Sequence, residues 1–254
     1  MGINKVLIKL SYILRSKRKK IHRATLSPDM FETEFRELYK LCSPYTMTSC
    51  ERMYGLYKAV DYVLSSGVPG DFVECGVWRG GSAMIIAKMM VNRGVENRKI
   101  YMYDTYEGMS PPTNFDIDIN GQNASELMAI SANKKEMSVW CLADLSEVKQ
   151  NLASTGLAPE QLIFIKGKVE ETIPEIVPEH KIAILRLDTD WYESTKHELL
   201  HLYPILSVNG VLIIDDYGHW SGCRKAVDEY FNSHNVKILM NRIDYTGRIG
   251  IKTS

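Results

Sequence analysis

The chain has no uncharged apolar run of about 18 residues, the length a helix needs to span a bilayer, so no transmembrane segment is expected. Its five cysteines, Cys42, Cys50, Cys75, Cys141 and Cys223, are odd in number, scattered and free of CxxC spacing. That pattern argues against a disulfide framework and a zinc site, and for a reducing, cytoplasmic compartment. There is no internal repeat and no low-complexity linker. Formal net charge is also lacking, at +0, but this hides an asymmetry. Residues 1–23 contain Lys5, Lys9, Arg15, Lys17, Arg18, Lys19, Lys20 and Arg23 and no acid, so the remainder is acidic. Bases confined to one arm of an acidic body do not suit nucleic acid. Apolar Val6, Leu7, Leu10, Tyr12, Ile13 and Leu14 interleave with the bases. The arm could therefore lie on an anionic membrane as a peripheral contact or pack against a second subunit. It lacks the long apolar core and cleavage site of a secretory signal.

What is present is alternation. After the arm (1–28), helices are expected over about 29–41 and 49–65. The first has Asp29 as cap and Phe31, Phe35, Leu38 and Leu41 on one stripe. The second has Met53, Leu56, Ala59, Val60, Val63 and Leu64 facing inward. Strands are expected at 71–75, 99–103, 162–166, 182–187, 211–215, 236–240 and 248–252. Helices are expected near 81–91, 123–135, 144–154, 192–203 and 220–233. Strands alternating with helices predict an α/β, doubly wound and mostly parallel seven-stranded sheet, with an antiparallel hairpin at its edge. Residues 29–66 form a helical extension, within which 31–48 is expected to act as a lid, and 67–254 form one catalytic domain.

Two apolar runs stop abruptly at carboxylates, Leu185-Arg186-Leu187-Asp188-Thr189-Asp190 and Val211-Leu212-Ile213-Ile214-Asp215-Asp216. Neighbouring parallel strands would deliver these acids to one rim, where ligands of open α/β sheets bind. Clustered carboxylates repel one another unless a cation sits among them, and Mg²⁺ suits oxygen ligands. Helix capping is the competing reading of each Asp taken singly. Between the first strand and its helix lies Glu74-Cys75-Gly76-Val77-Trp78-Arg79-Gly80-Gly81-Ser82. Its spacing is not that of the dinucleotide Gly-x-Gly-x-x-Gly. Glu74 would repel a pyrophosphate and suits a ligand bearing a cation, such as S-adenosylmethionine. Asp104, ending the second strand, stands where ribose hydroxyls are accepted.

These stretches, together with Tyr103-Asp104-Thr105-Tyr106-Glu107-Gly108-Met109, Trp191-Tyr192-Glu193-Ser194-Thr195, Tyr217-Gly218-His219-Trp220 and Ile243-Asp244-Tyr245-Thr246-Gly247-Arg248, closely resemble the macrocin O-methyltransferase family. The resemblance covers roughly residues 30–254. It implies a class I, Rossmann-like methyltransferase that uses S-adenosylmethionine and Mg²⁺ to methylate a sugar hydroxyl. It assigns Glu74, Gly76, Gly80 and Gly81 to the methionine side of the cofactor, with Trp78 and Ser82 in the same turn. It assigns Asp104 and Thr105 to the ribose, and Asp188, Asp215 and Asp216 to the metal. Tyr45, Thr46 and Met47 fall in a segment that folds over cofactor and substrate. Lys166-Gly167-Lys168-Val169-Glu170 borders the adenine, although Glu170 is equally read as a first-turn helix acid. Trp191 packs beside the adenine or serves as a core aromatic. Asp188 is the first candidate for the base, with Asp190 and His219 as alternatives. Asp116, Asp118 and Asn120 are read as a solvated lid, and the twelve methionines mostly as core.

The acceptor implied is a small molecule or glycan with vicinal hydroxyls, either a deoxysugar of a macrolide-type glycoside or a surface-polysaccharide sugar. Two rival readings are a catechol- or phenylpropanoid-type O-methyltransferase and a non-catalytic binding protein on the same fold. A homodimer or higher homo-oligomer is expected.

Overall fold

The computed structural model describes residues 28–30, 32–131 and 139–254. The basic arm, Phe31 and part of the helix expected over 123–135 lie outside them. The described residues up to Glu37 and those from Leu38 to Ser254 fall into two compact units. The second carries the sheet and the site residues described below.

The strands are β1 (Asp71–Cys75), β2 (Ile100–Asp104), β3 (Leu162–Lys166), β4 (Ile182–Leu187), β5 (Leu206–Ile214), β6 (Asn241–Arg242) and β7 (Arg248–Ile251). They form one seven-stranded sheet in the order β3-β2-β1-β4-β5-β7-β6. The five central strands are parallel, and β7 runs antiparallel to β5 and to β6. β1 and β4 are buried along their whole length, as near-continuous apolar runs require of parallel strands covered on both faces. The helices are α1 (Thr33–Cys42), α2 (Cys50–Ser65), α3 (Gly81–Asn92), α4 (Ala124–Ile130), α5 (Leu145–Ala153), α6 (Val169–Thr172), α7 (Tyr192–Leu202) and α8 (Ser221–Ser233). α3 packs against α2 and α5, while α7 packs against α6 and α8. The strand order reverses between β1 and β4, which places the ligand crevice beyond the carboxyl ends of those two strands.

Three local expectations change. α1 starts at Thr33 rather than at an Asp29 cap, because Asp29 belongs to a separate 3-10 turn, and Leu41 is exposed. Residues 236–240 form no strand. The hairpin is made by Asn241–Arg242 pairing with β7, whose other edge is already on β5. β5 begins at Leu206, five residues before the expected Val211, and Asn209 adopts φ 65 within it.

Candidate active site

The register brings the strand ends level. Cys75 pairs with Tyr103 on one side and with Leu187 on the other, and Leu187 pairs with Ile214. Glu74, Asp104, Asp188 and Asp215 thus stand at or near one rim. Gly76 adopts φ 84, and a Cβ there would overlap the Asp188 carbonyl oxygen. The glycine turn is therefore packed directly on the acidic end of β4, and glycine is required both for the φ and for the approach.

Asp104 holds that turn in shape. One of its carboxylate oxygens accepts the Val77 and Trp78 N–H groups at 2.7 and 3.0 Å, and the other accepts Tyr106 N–H at 2.7 Å. Burial raises its pKa, and these N–H donors offset the rise only in part. Thr105 Oγ donates to Gly108 O and accepts the Glu107 N–H, closing the next turn. The loop 43–46 lies against the turn, since a Cβ on Gly81 would come within 2.7 Å of Tyr45 O and 2.8 Å of Thr46 Cβ. Arg79 fastens it there, donating to Pro44 O at 3.1 Å with its guanidinium 5.2 Å from the Tyr45 ring centre. Thr46 is buried and Met47 half-buried. Ser82 faces the other way, its hydroxyl on Met53 Sδ of α2.

Asp188, Asp215 and Asp216 each present a carboxylate oxygen within 4.8 Å of the others. The capping alternative does not account for them. Neither α7 nor α8 has a side-chain cap at its N-cap residue. Instead, Tyr192 N–H at the start of α7 donates to Asp116 Oδ1, at 2.8 Å. This overturns the reading of Asp116 and Asp118 as a solvated lid. Asp116 is fully buried and Asp118 nearly so, each engaged in hydrogen bonds. The apolar Phe115, Ile117 and Ile119 between and beside them face solvent.

Two arginines that the sequence reading left aside organise the acids. Arg186, buried one residue before the carboxyl end of β4, donates to Glu74 Oε1 at 2.6 Å, Asp215 Oδ1 at 2.8 Å and Asp188 Oδ2 at 2.8 Å. Arg52 of α2 pairs with Asp215 Oδ2 and, at 3.1 Å, with Asp244. Against the upward push of burial, these guanidiniums hold Asp215 below the ordinary carboxylate range. They do not satisfy the rest. Burial pushes Asp188 and Asp216 well above that range, with neighbouring carboxylates adding to it. Asp190, at φ 68 and hydrogen-bonded to Asp216, is pushed up to about 7 by burial and by Asp188. Burial likewise pushes Glu74 up to about 7 in spite of Arg186. Asp216 Oδ2, Glu74 Oε2 and Trp78 Nε1 are buried without hydrogen-bond partners. Buried polar atoms are ordinarily satisfied, so three orphans around one crevice mark places for ligand atoms. A lone charged residue inside an otherwise apolar strand was the available signal for Arg186, because a buried charge must be paired.

The remaining candidates lie around this centre. Trp191 is in the core, its Nε1 on Ser110 O at 2.9 Å and its ring edge-on to Trp220. His219 is half-buried between Trp220 and Tyr245, with its backbone N–H on the Asp216 carbonyl and its ring Nδ1 3.4 Å from Tyr245 Oη. Gly167 N–H donates to Asp104 O, placing the β3 turn beside Asp104. Val169 is core and Glu170 is exposed.

A Rossmann-like sheet with an acidic glycine turn on β1, an acid ending β2 and carboxylates ending β4 and β5 defines a class I methyltransferase. The macrocin-O-methyltransferase (TylF) family model matches residues 5–249, and the chain belongs to that family. It is an S-adenosylmethionine-dependent O-methyltransferase. The chain is 34% identical over 203 residues, 80% of this chain and 74% of the relative, to 8-demethyl-8-(2,3-dimethoxy-alpha-L-rhamnosyl)-tetracenomycin-C 4'-O-methyltransferase of Streptomyces olivaceus. It is 32% identical to mycinamicin III 3''-O-methyltransferase of Micromonospora griseorubida, over 80% of this chain and 76% of the relative. Among solved structures, the O-methyltransferase NovP superposes with a TM-score of 0.71 at 31% identity, covering 83% of each chain.

Proposed function

We propose that this enzyme methylates a hydroxyl of a sugar, on a deoxysugar glycoside or a surface-polysaccharide unit, and that it does so with Mg²⁺ held by Asp188, Asp215 and Asp216. The observation that carries this reading is the convergence of those three carboxylates, with Asp216 Oδ2 orphaned, at the rim that the glycine turn also reaches. The sugar acceptor is supported by the relatives, one named as the 4'-O-methyltransferase of a rhamnosyl-tetracenomycin and another as the 3''-O-methyltransferase of mycinamicin III.

When bound, S-adenosylmethionine supplies an electrophilic methyl group. The C–S bond breaks as the O–CH₃ bond forms, and S-adenosylhomocysteine leaves. A divalent ion held by Asp188, Asp215 and Asp216 would supply Lewis acidity to vicinal hydroxyls of the acceptor. The chain's own groups do the rest. Gly76, Gly80 and Gly81 let the backbone approach the methionine end, where Glu74 Oε2 and Trp78 Nε1 offer an acceptor and a donor. Asp104 fixes the turn and borders the ribose. Asp188 takes the acceptor's proton. It is the most exposed of the three metal-site carboxylates, with 25% of its side chain exposed against 1% for Asp215 and 8% of the residue for Asp216, and Asp190 and His219 are the alternative bases. The loop 43–48 excludes water from the reacting centre, within the lid region 31–48 of the extension 29–66 that precedes the catalytic domain. Asp104 backed by the 167–170 turn completes the adenosine side.

We further propose that the enzyme is a cytoplasmic homo-oligomer. Five free cysteines support a reducing compartment, and no described helix is long and apolar enough to cross a membrane. Transfer of labelled methyl to rhamnosides and to glycan fragments, followed by mass spectrometry with and without chelator, tests the proposal. Methylation of catechols in preference to every glycoside, or full activity in excess chelator, overturns it.

A further inference from the structure

The role of Arg52 reaches beyond charge balance. Its guanidinium bridges two parts of the molecule. One side pairs with Asp215 Oδ2, on a residue proposed as a metal ligand, and the other donates to Asp244 Oδ2 at 3.1 Å. The same Asp244 oxygen accepts the Ser49 hydroxyl at 2.8 Å, and Ser49 in turn caps α2 by accepting the Arg52 N–H at 3.1 Å. Ser49 immediately follows the 43–48 loop, whose other end is fastened to the glycine turn by Arg79. Asp244 is itself fixed by the Thr246 and Gly247 N–H groups, at 2.9 and 2.7 Å. Arg52 is thus the one link in this chain with a choice of carboxylate. The fixed guanidinium at Asp215 is Arg186, embedded in β4, whereas Arg52 reaches in from a helix.

A cation bound among Asp188, Asp215 and Asp216 would sit beside a guanidinium that already neutralises one of its ligands, and like charges this close repel strongly. Asp216 Oδ2, unpartnered in a residue 8% exposed, faces no such competitor. The geometry points to Arg52 as an internal counter-cation that competes with the divalent ion for Asp215 and so couples occupancy of the metal site to the anchoring of the 43–49 segment. This inference rests on the metal site proposed above. With the metal absent, Arg52 holds Asp215 and Asp244 together and keeps the Ser49 end of the loop fixed. With the metal bound, Arg52 keeps Asp244 but gives up Asp215, so the Ser49 end of the loop loses its tie to the rim and the loop moves more freely over the cofactor. Arg52 is a positioning residue: it touches the proposed ligand, not the reacting atoms.

The probe is Mn²⁺ alone, with free ion counted by electron paramagnetic resonance, on the full chain without acceptor. Arg52→Met removes the competing charge and is expected to tighten Mn²⁺ binding by about tenfold or more, equivalent to about 1.4 kcal/mol. Asp244→Asn leaves Arg52 with Asp215 as its sole carboxylate at the bridge and is expected to weaken binding. General damage to the fold would move both variants the same way, and Asp244→Asn keeps the test open if Arg52→Met does not fold. Hydrogen exchange at Tyr45–Thr48 should quicken when Mn²⁺ is added to the wild type and stay unchanged in Arg52→Met. Equal Mn²⁺ affinity in the wild type and the folded variants, or exchange at 45–48 indifferent to Mn²⁺ in the wild type, overturns the role of Arg52 alone. Failure of the wild type to bind Mn²⁺ overturns the metal site and this inference with it.

Discussion

Asp215 and Asp216 are neighbours in sequence with opposite electrostatic situations, and this makes the sharpest test of the site. Asp215 is 1% exposed, with both oxygens engaged by guanidiniums. Replacing it by Asn in metal-free protein strips Arg186 and Arg52 of their shared carboxylate. Removing one partner of a buried ion pair costs about 3–5 kcal/mol. The lower end applies here, because Arg186 keeps Glu74 and Asp188 while Arg52 keeps Asp244. For a chain of this size each kcal/mol moves Tm by roughly 2–4 °C, so Asp215→Asn should lower it by about 6–12 °C in chelator. Asp216 has an unpartnered oxygen and two acidic neighbours, Asp190 and Asp215. Asp216→Asn removes repulsion without breaking an ion pair, and Tm in chelator should stay level or rise by up to about 3 °C.

The pH dependence separates the two as well. Asp216 is raised when folded, so its contribution is present below the ordinary carboxylate range and lost as pH rises through its folded value. The advantage of Asn at 216 therefore grows from acid towards neutrality. Asp215 is lowered, so its contribution is present above the ordinary range and lost in acid, and the deficit of Asn at 215 shrinks as pH falls. Thermal melts in chelator across pH 4–8 read both. Equal destabilisation by the two substitutions would refute this account of the cluster.

Other outcomes follow from the same geometry. Asp104→Ala frees the N–H groups of Val77, Trp78 and Tyr106, and should weaken S-adenosylhomocysteine binding by about tenfold or more in calorimetric titration, with each lost charge-assisted bond worth about 1.5–3 kcal/mol. Asp190→Asn removes a carboxyl raised to about 7, so the metal-free variant should show a smaller loss of stability than the wild type as pH climbs from about 4 to about 7, the remainder coming from Glu74, Asp188 and Asp216, as measured by denaturant midpoints. Lys252 donates to the carbonyls of Tyr203, Pro204 and Leu206 at the end of α7, and Lys252→Met should cost about 2 kcal/mol in urea unfolding with no change in S-adenosylhomocysteine affinity. Light scattering should show a homo-oligomer, and a monomer would end that expectation.

Much of the fold was legible because parallel strands are buried on both faces and their sequences are correspondingly apolar. Cys75, Leu187 and Ile214 mark the strand ends, and the register sets them level. The glycine turn was legible because Gly76 must accept both a positive φ and the Asp188 backbone. β6 was not, since two exposed residues held by β7 carry no apolar pattern of their own. The loop 113–122 was misread for a related reason. Polar residues in a loop normally face water, yet here Asp116 and Asp118 turn inward and Phe115, Ile117 and Ile119 turn outward. Asp116 can do so because its carboxylate meets Tyr192 N–H, Thr113 N–H and the Thr113 hydroxyl.

That inversion bears on the site itself. A helix opening at Tyr192, four residues beyond Asp188, needs an acceptor for its first N–H groups, and Asp188 and Asp190 stand near enough in sequence to supply it. Had either done so, the rim would have lost a carboxylate. Asp116 caps α7 from a loop 76 residues earlier, so the acids after β4 are left for other partners. Arg186 and Arg52 then engage Asp215 and Asp188 but not Asp216 Oδ2. The cluster is neutralised far enough to fold and left short of positive charge at the oxygen where an ion would bind. Asp116→Ala accordingly tests the arrangement from a distance. The exposed α7 N–H should draw Asp190 or Asp188 towards the helix. Mn²⁺ affinity should then fall, although the altered residue belongs neither to the metal site nor to the cofactor turn. Unchanged Mn²⁺ affinity in a folded Asp116→Ala protein would show that the rim acids keep their places without it.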